Sequence, residues 1–384
     1  MVLVDGARAP IGRFQGALAG IPAVELGAHA VRATLARCPG LAPDYAILGN
    51  VLQAANGQNP GRQAALRGGV PRDVPGITLN DVCLSSMTAV ALAATMVRER
   101  EADCVLVGGF DSMSGAPHAV HVRGAARTGD ARLIDVMTND GLWCQLSDAG
   151  MGELSDRENA RLGVTRESQD AFSLESHRRA AAATESGRLA EEIEPVTVGT
   201  LELSADEGIR RDTSLDRLAA LRPAFGRDGT ITAGNASQMS DGAGAGIVTS
   251  RGHAEAAGLG PLAEIGPRAV VAGPDSSLHL RPAEAVRKLL ERTGLAPADI
   301  DLWEINEAFA GVTLASARDL ELAPERVNVN GGAVALGHPL GASGFRLLQT
   351  LAVEMTLRGI ELGIAAICGG GGQGQAVLLR LCYT

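Results

Sequence analysis

The sequence predicts an α/β protein made of two related halves with a charged excursion between them. Three observations carry that reading. Short apolar runs alternate with helical patterns: Ile47–Leu52, Ile77–Val82, Cys104–Val107, Leu302–Ile305 and Ile364–Ile367 read as buried strands, each followed by a helix. The chain also repeats itself, since Leu41-Ala42-Pro43-Asp44 resembles Leu295-Ala296-Pro297-Ala298, each placed after a helix and before a strand that ends at an Asn. The same offset carries Cys83 to Gly337, beside His338, so two halves packed together would bring a Cys and a His to one junction. Finally, charges crowd into residues 116–239 (Arg157-Glu158, Arg166-Glu167, His177-Arg178-Arg179, Arg210-Arg211-Asp212) and strand-like runs become rare. At ~100–200 residues per domain, 384 residues accommodate such a plan.

Composition removes several classes of function. A formal net charge of −10 repels a phosphate backbone, and 3% aromatic residues supply no base-stacking platform, so no nucleic-acid partner is expected. Lys288 is the single lysine and sits on what reads as a solvated helix face, which removes Schiff-base chemistry and lysine-dependent phosphate loops. The stretch Met1–Gln15 carries Asp5, Arg8 and Arg13 rather than an apolar signal core, and no run approaches ~18 apolar residues, so no membrane association is expected. The final residues, Leu381 to Thr384, match no peroxisomal or lipidation signal. Cys38, Cys83, Cys104, Cys144, Cys368 and Cys382 form no CxxC pair, which argues against a zinc knuckle or a disulfide framework and for a cytoplasmic protein with free thiols. His118 and His121 lack a third ligand nearby, so no metal is expected.

Along the chain, the first chemical element is Leu79-Asn80-Asp81-Val82-Cys83-Leu84-Ser85-Ser86, where a strand gives way to a helix over Met87–Arg98. A thiol at such a junction faces unsatisfied N–H groups and the positive end of the helix dipole, which favour thiolate. A small buried apolar Cys fits the segment equally well. The excursion follows, with helical periodicity over Ser168–Ala183, and reads either as a solvated cap or as a lid over a cofactor. In Trp303–Ala310, Asn306 ends a strand, where it can hold a water or an oxyanion or simply close a turn. Between Val327 and Gly344, glycines flank His338 and allow close backbone approach. A lone His is more often structural, but this one lies on the repeat mate of Cys83. The last element, Cys368-Gly369-Gly370-Gly371-Gly372-Gln373-Gly374, leads a Cys out of a buried strand into glycines whose N–H groups can line an oxyanion site. A phosphate loop would need a lysine that is absent. Two cysteines, a histidine and an asparagine on four loops form the set that carbon–carbon bond formation through an acyl-cysteine requires: a nucleophile, its base, a second base for a carbon acid, and enolate stabilisers.

Those four segments resemble the catalytic blocks of the thiolase family, in order: VCLSSM around Cys83, NEAFA at Asn306–Ala310, GHPLGASG at Gly337–Gly344 and CGGGGQG at Cys368–Gly374. Ala7–Gly12, Gly108–Ser114, Arg222–Phe225 and Thr232–Ser237 match further blocks, so the resemblance spans the whole chain. Within the family it is most similar to short-chain acetyl-CoA acetyltransferases. The resemblance implies a thiolase fold: two duplicated βαβαβαββ halves in a five-layered α/β/α/β/α arrangement, with an inserted, mostly helical loop domain. The N-terminal half would be 1-115, completed by about 240-265, the loop domain 116-239, and the C-terminal half 266-384. It implies reversible Claisen condensation of two acetyl-CoA to acetoacetyl-CoA and CoA. Cys83 would be the nucleophile, His338 its base and, with Asn306, an oxyanion site, Cys368 the second acid/base, and the N–H groups of Cys83 and Gly370 a second oxyanion site. Arg210 and Ser237 would hold coenzyme A, with Met151, Phe225 and Phe309 lining its tunnel, and no cofactor would be tightly bound. A homotetramer (a dimer of dimers), at least a homodimer, is implied. The alternatives are a 3-ketoacyl-CoA thiolase acting on longer chains in fatty-acid β-oxidation, or a non-catalytic acyl-CoA or lipid-binding protein on the same fold. One departure bears on chain length: where the family commonly has His before Met-Gly, this chain has Gly150, and Leu154-Ser155-Asp156-Arg157 replaces Thr-Ala-Glu-Asn.

Overall fold

A computed structural model describes residues 1–123 and 130–382. Nine strands are joined in one path: β1 (Val2–Arg8), β2 (Tyr45–Gly49), β3 (Gly76–Leu79), β4 (Cys104–Ser112), β5 (Ser240–Thr249), β6 (Ala263–Ala272), β7 (Leu302–Ile305), β8 (Leu362–Gly369) and β9 (Gln373–Leu381). Their order is β7-β8-β9-β6-β1-β5-β4-β2-β3. The link between β1 and β6 is only two residue pairs, Val2 with Glu264 and Leu3 with Ala263, so the path is two sheets meeting at a seam. Each begins with parallel pairing at its outer edge (β3 with β2 and β2 with β4 in the first, β7 with β8 in the second) and turns antiparallel nearer the seam. The strand β5 returns from beyond the excursion to pair with β1 and β4 in the first sheet.

Helices fill three further layers. Helices α1 (Ala23–Arg37) and α2 (Pro60–Gly68) cover the outer face of the first sheet, and α6 (Arg281–Thr293) that of the second. Between the sheets lie α3 (Ser85–Glu99) and α8 (Leu340–Arg358), packed on each other and on strands of both halves. A helix with sheets on two sides cannot keep a polar face. Accordingly α8 is buried at every position from Leu340 to Met355. Val82–Glu99, with mean hydropathy 1.3, is apolar and long enough to cross a membrane, contrary to the expectation that no such run exists. Its place between two sheets accounts for that apolarity. The five-layered α/β/α/β/α arrangement is therefore present, and α3 and α8 are its repeat mates, one following Cys83 and the other following His338.

The excursion departs from expectation in one respect. Its long helices are confined to α4 (Met151–Leu162) and α5 (Arg166–Glu185), and much of the remainder is extended chain and short two-stranded ribbons. Buried ion pairs, rather than apolar contacts alone, fasten it down. The Arg8 guanidinium meets Asp206 through two bonds (2.7 and 2.9 Å) and Glu192 at 2.9 Å, while Arg188 reaches Glu354 on α8 at 2.5 Å. Burial opposes the charge on Glu192, yet Arg8 and Arg188 hold its carboxyl below the usual carboxylate range. Helix α7 (Ala310–Asp319) is largely buried, whereas Lys288 is exposed on α6 and its amine donates to the Val270 carbonyl.

Candidate active site

Cys83 follows a strained residue. Val82 is β-branched yet has φ +49°, in the left-handed region that such side chains avoid. Ser85 locks the turn, its hydroxyl donating to the Val82 carbonyl (2.6 Å) and accepting from the Asp81 N–H (2.9 Å). The elbow places Cys83 in a narrow cavity of about 60 Å³ whose wall also includes His338, Cys368, Gly370, Met151, Ser237 and Phe309. Leu340 and Leu142 supply its apolar end, and Cys83 packs against the cluster of Val51, Leu52, Met113 and Leu340. Four of the five residues expected to carry chemistry thus converge, from both halves of the chain.

Of the two readings of the Cys83 segment, a thiolate at a helix start or a buried apolar thiol, the surroundings favour the thiol. Burial pushes the thiol up to about 12; the N–H groups of Gly370 and of Cys83 itself pull it down, and the charges of Asp111 and Asp81 raise it further. Desolvation outweighs the helix end, because Cys83, although partly exposed, lines a narrow cavity two residues before α3. Cys368, 1% exposed at the end of β8, is pushed up more strongly by burial and by the neighbouring Cys83.

His338 is oriented at both ends. Its backbone N–H donates to the Gln238 carbonyl (3.1 Å) and to the Ser240 hydroxyl (3.2 Å). Its Nδ1 lies 2.6 Å from the Ser343 Oγ, which in turn lies 2.8 Å from the Pro339 carbonyl. A carbonyl can only accept, so with the Ser343 hydroxyl donating to Pro339 its oxygen is left to accept, and we assign the ring proton to Nδ1. The other nitrogen, Nε2, is buried without a protein partner and is left as the basic lone pair. Burial, aided by the charge of Arg346, pushes the imidazole down to about 3, so the ring is neutral.

Gly371 and Gly372 have φ of +79° and +77°, the left-handed backbone that curls the segment after Cys368 and brings the Gly370 N–H toward Cys83. Asn306 stands apart from the cavity wall. Its N–H is fixed to the Ala366 carbonyl (2.9 Å), but both ends of its fully buried amide lack a protein partner. A buried amide of that kind points to an unseen polar companion. Ser237 is held by the Ala308 carbonyl (3.1 Å). Arg210 and Phe225, expected near coenzyme A, lie off the cavity: Arg210 donates to the Ala233 carbonyl (3.1 Å), and half-exposed Phe225 packs edge-on to Phe309 at 6.2 Å. Ser343, Leu142 and Leu340 were not singled out from the sequence. Ser343 lies inside the His338 block, so its spacing was an available signal, whereas Leu142 comes from an unpatterned loop. Among the described residues no group of three His, Cys, Asp or Glu is arranged to hold a metal.

Residues 1–252 match the thiolase N-terminal domain and residues 259–381 the thiolase C-terminal domain. The chain is similar to a probable acetyl-CoA acetyltransferase of Mycobacterium tuberculosis, 48% identical over 387 residues that cover 99% of this chain and 98% of that one. It is similar to an acetyl-CoA acetyltransferase of Chromobacterium violaceum at 46% over 389 residues, 99% of each. A probable acetyl-CoA acetyltransferase of Mycolicibacterium smegmatis is 46% identical over 387 residues, covering 99% of this chain and 100% of the relative.

Proposed function

This chain belongs to the thiolase family, and on that premise we propose that it catalyses reversible condensation of two acetyl-CoA to acetoacetyl-CoA and CoA through an acetyl-cysteine. The observation that carries the reading is the meeting of Cys83, His338, Cys368 and Gly370 in one cavity, with His338 Nε2 left free to accept a proton.

In the first half-reaction the Cys83 sulfur bonds to the thioester carbonyl carbon as its proton passes to His338 Nε2. The carbon–sulfur bond to CoA then breaks, and the departing CoA thiolate takes its proton from Cys368. That leaves Cys368 as a thiolate, the base required for the α-proton of the second acetyl-CoA. The resulting carbanion bonds to the acetyl carbonyl on Cys83. Collapse breaks the Cys83 thioester, and the sulfur recovers its proton from His338, so every group returns to its starting state. The N–H groups of Gly370 and Cys83 bind one developing oxyanion; His338 and, through a water, Asn306 bind the other. Ser237, Met151 and Phe309 flank the entry for the acyl-CoA tail, and the excursion is its lid, with Arg210 and Phe225 reaching the outer parts of CoA. Six unpaired cysteines support a cytoplasmic setting. The free edge of β3, where Ile77 is exposed, supports pairing into at least a dimer, with a dimer of dimers as the fuller assembly.

Mixing the protein with acetyl-CoA alone and mapping the adduct by peptide mass spectrometry tests the reading. One acetyl group is expected on the Cys83 peptide; an adduct confined to Cys38, Cys104, Cys144 or Cys382 overturns the assignment.

A further inference from the structure

We propose that Asp111 is a positioning residue for this reaction, the point at which the half bearing Cys83 takes hold of the loop bearing His338. Its carboxylate ends β4 and is wholly buried. One oxygen accepts from the Asn50 amide (2.7 Å), the Leu52 N–H (2.9 Å) and the Val51 N–H (3.1 Å). The other accepts from the Gly341 N–H at 2.6 Å, with a longer approach from Val51 at 3.3 Å. The first group of donors belongs to the loop after β2. Gly341 belongs to the first turn of α8, three residues beyond His338 and directly after the cavity residue Leu340.

The ground beneath this contact is glycine. A Cβ at Gly49 would stand 2.9 Å from the Gly341 carbonyl oxygen, and one at Gly109 would collide with the same atom. A Cβ at Gly341 would itself stand 2.8 Å from the Asp111 carboxylate. The end of α8 therefore rests on bare backbone of β2 and β4, and one carboxylate fixes where along that floor it stops. The same carboxylate fixes Leu52, whose side chain packs with Leu340 in the cluster that touches Cys83. Asp111 touches no reacting atom. It acts by setting the separation of Cys83 from the His338 ring.

An amide cannot replace it. In Asp111→Asn the NH2 must face either the three donors of the β2 loop or the Gly341 N–H, and the smaller loss is at Gly341. The inference rests on the acetyltransferase reading, so wild-type enzyme is acetylated alongside each variant; failure of the wild type to acetylate at Cys83 would count against that reading and not against the role of Asp111. Single-turnover acetylation of Cys83 is followed against acetyl-CoA concentration, with the far-UV spectrum confirming the fold. For Asp111→Asn the saturating rate is expected to fall about ten- to a hundredfold while half-saturation stays within about threefold, because a small misplacement of a base costs rate and not tail binding. Asp111→Glu, which retains a carboxylate, is expected to recover most of that rate. If Asp111→Asn does not fold, Asn50→Ala, which removes one donor to the carboxylate, gives the reading instead: a several-fold slower saturating rate at unchanged half-saturation. The proposal is overturned if Asp111→Asn, or Asn50→Ala in its place, acetylates at the wild-type rate. It is overturned equally if rate and half-saturation decline together, as general loosening of the fold would produce.

Discussion

Ser343→Ala isolates the orientation of the base. The Ser343 Oγ lies 2.6 Å from His338 Nδ1 and is the one protein partner that ring has. Its other contact is dispensable, since the Pro339 carbonyl also accepts from the Ala342 and Ser343 N–H groups at 3.0 and 3.1 Å. The substitution therefore leaves a buried Nδ1–H without an acceptor, at a cost of about 1–3 kcal/mol. Neither ring nitrogen then has a protein partner among the described residues, so nothing holds the proton on Nδ1 or fixes the plane of the ring, and Nε2 can carry the proton it must lack to accept from Cys83. At about 1.4 kcal/mol per tenfold, losing that much stabilisation of the productive ring arrangement lowers the acetylation rate by about 5- to 150-fold. Rapid-quench acetylation of Cys83 reads the rate, and the dependence on acetyl-CoA should show half-saturation unchanged. An acetylation rate within about twofold of wild type would refute the tautomer argument, because it would mean that Nδ1–H was never held by Ser343.

Three further outcomes follow from the same site. Cys368→Ala should retain burst acetylation of Cys83, because a thiolate is a good leaving group even without the proton that Cys368 supplies, and lower steady-state condensation by ~10²–10⁴-fold, the usual contribution of a positioned base; loss of acetylation with intact condensation on pre-acetylated enzyme would exchange the roles of the two cysteines. With the Cys83 thiol pushed up to about 12, the thiolate fraction grows as pH rises, so alkylation by iodoacetamide should climb about tenfold per pH unit from pH 6 to 9, and a plateau in that window would contradict it. Acetoacetyl-CoA should be cleaved faster than an eight-carbon 3-ketoacyl-CoA, since each methylene contributes about 0.8 kcal/mol only where there is room to bury it and the cavity is about 60 Å³; the reverse order would show that the space beside Gly150 and Trp143 admits the longer chain.

The layers were legible because period and burial coincide. Strands buried on both faces, such as β8 with its Ile364–Ile367 stretch, show as unbroken apolar runs, and the repeat at Leu41 and Leu295 announced the second half. Strand ends were less legible: β4 continues past the apolar run Cys104–Val107 to Ser112 through Gly108-Gly109, and Gly109, with Gly49, serves as the floor for α8. Cys83, Cys368 and His338 were legible because each breaks a pattern, a thiol or an imidazole at the edge of a buried element. Leu142 and Leu340 break none, and only three-dimensional packing shows them as the apolar end of the cavity. The protonation of Cys83 stayed open in the sequence for a physical reason: the sequence displays the helix start that favours thiolate but not the desolvation that opposes it.

The division of labour between the halves explains where the protein spends its buried polarity. The nucleophile comes from one half and its base from the other, each on the loop before a central helix, so the distance between them is set by how α3 and α8 pack. Apolar side chains alone tolerate sliding of one helix past another. Directional contacts do not, and they are found at both ends of α8: the Asp111 carboxylate on Gly341 at its start, and the Arg188 guanidinium on Glu354 near its finish. The Ser86 hydroxyl accepts from the Phe345 N–H at 2.8 Å between them, tying α3 directly to the same helix. A chemistry that moves a proton between two halves of a duplicated chain needs that registry more than it needs additional apolar area.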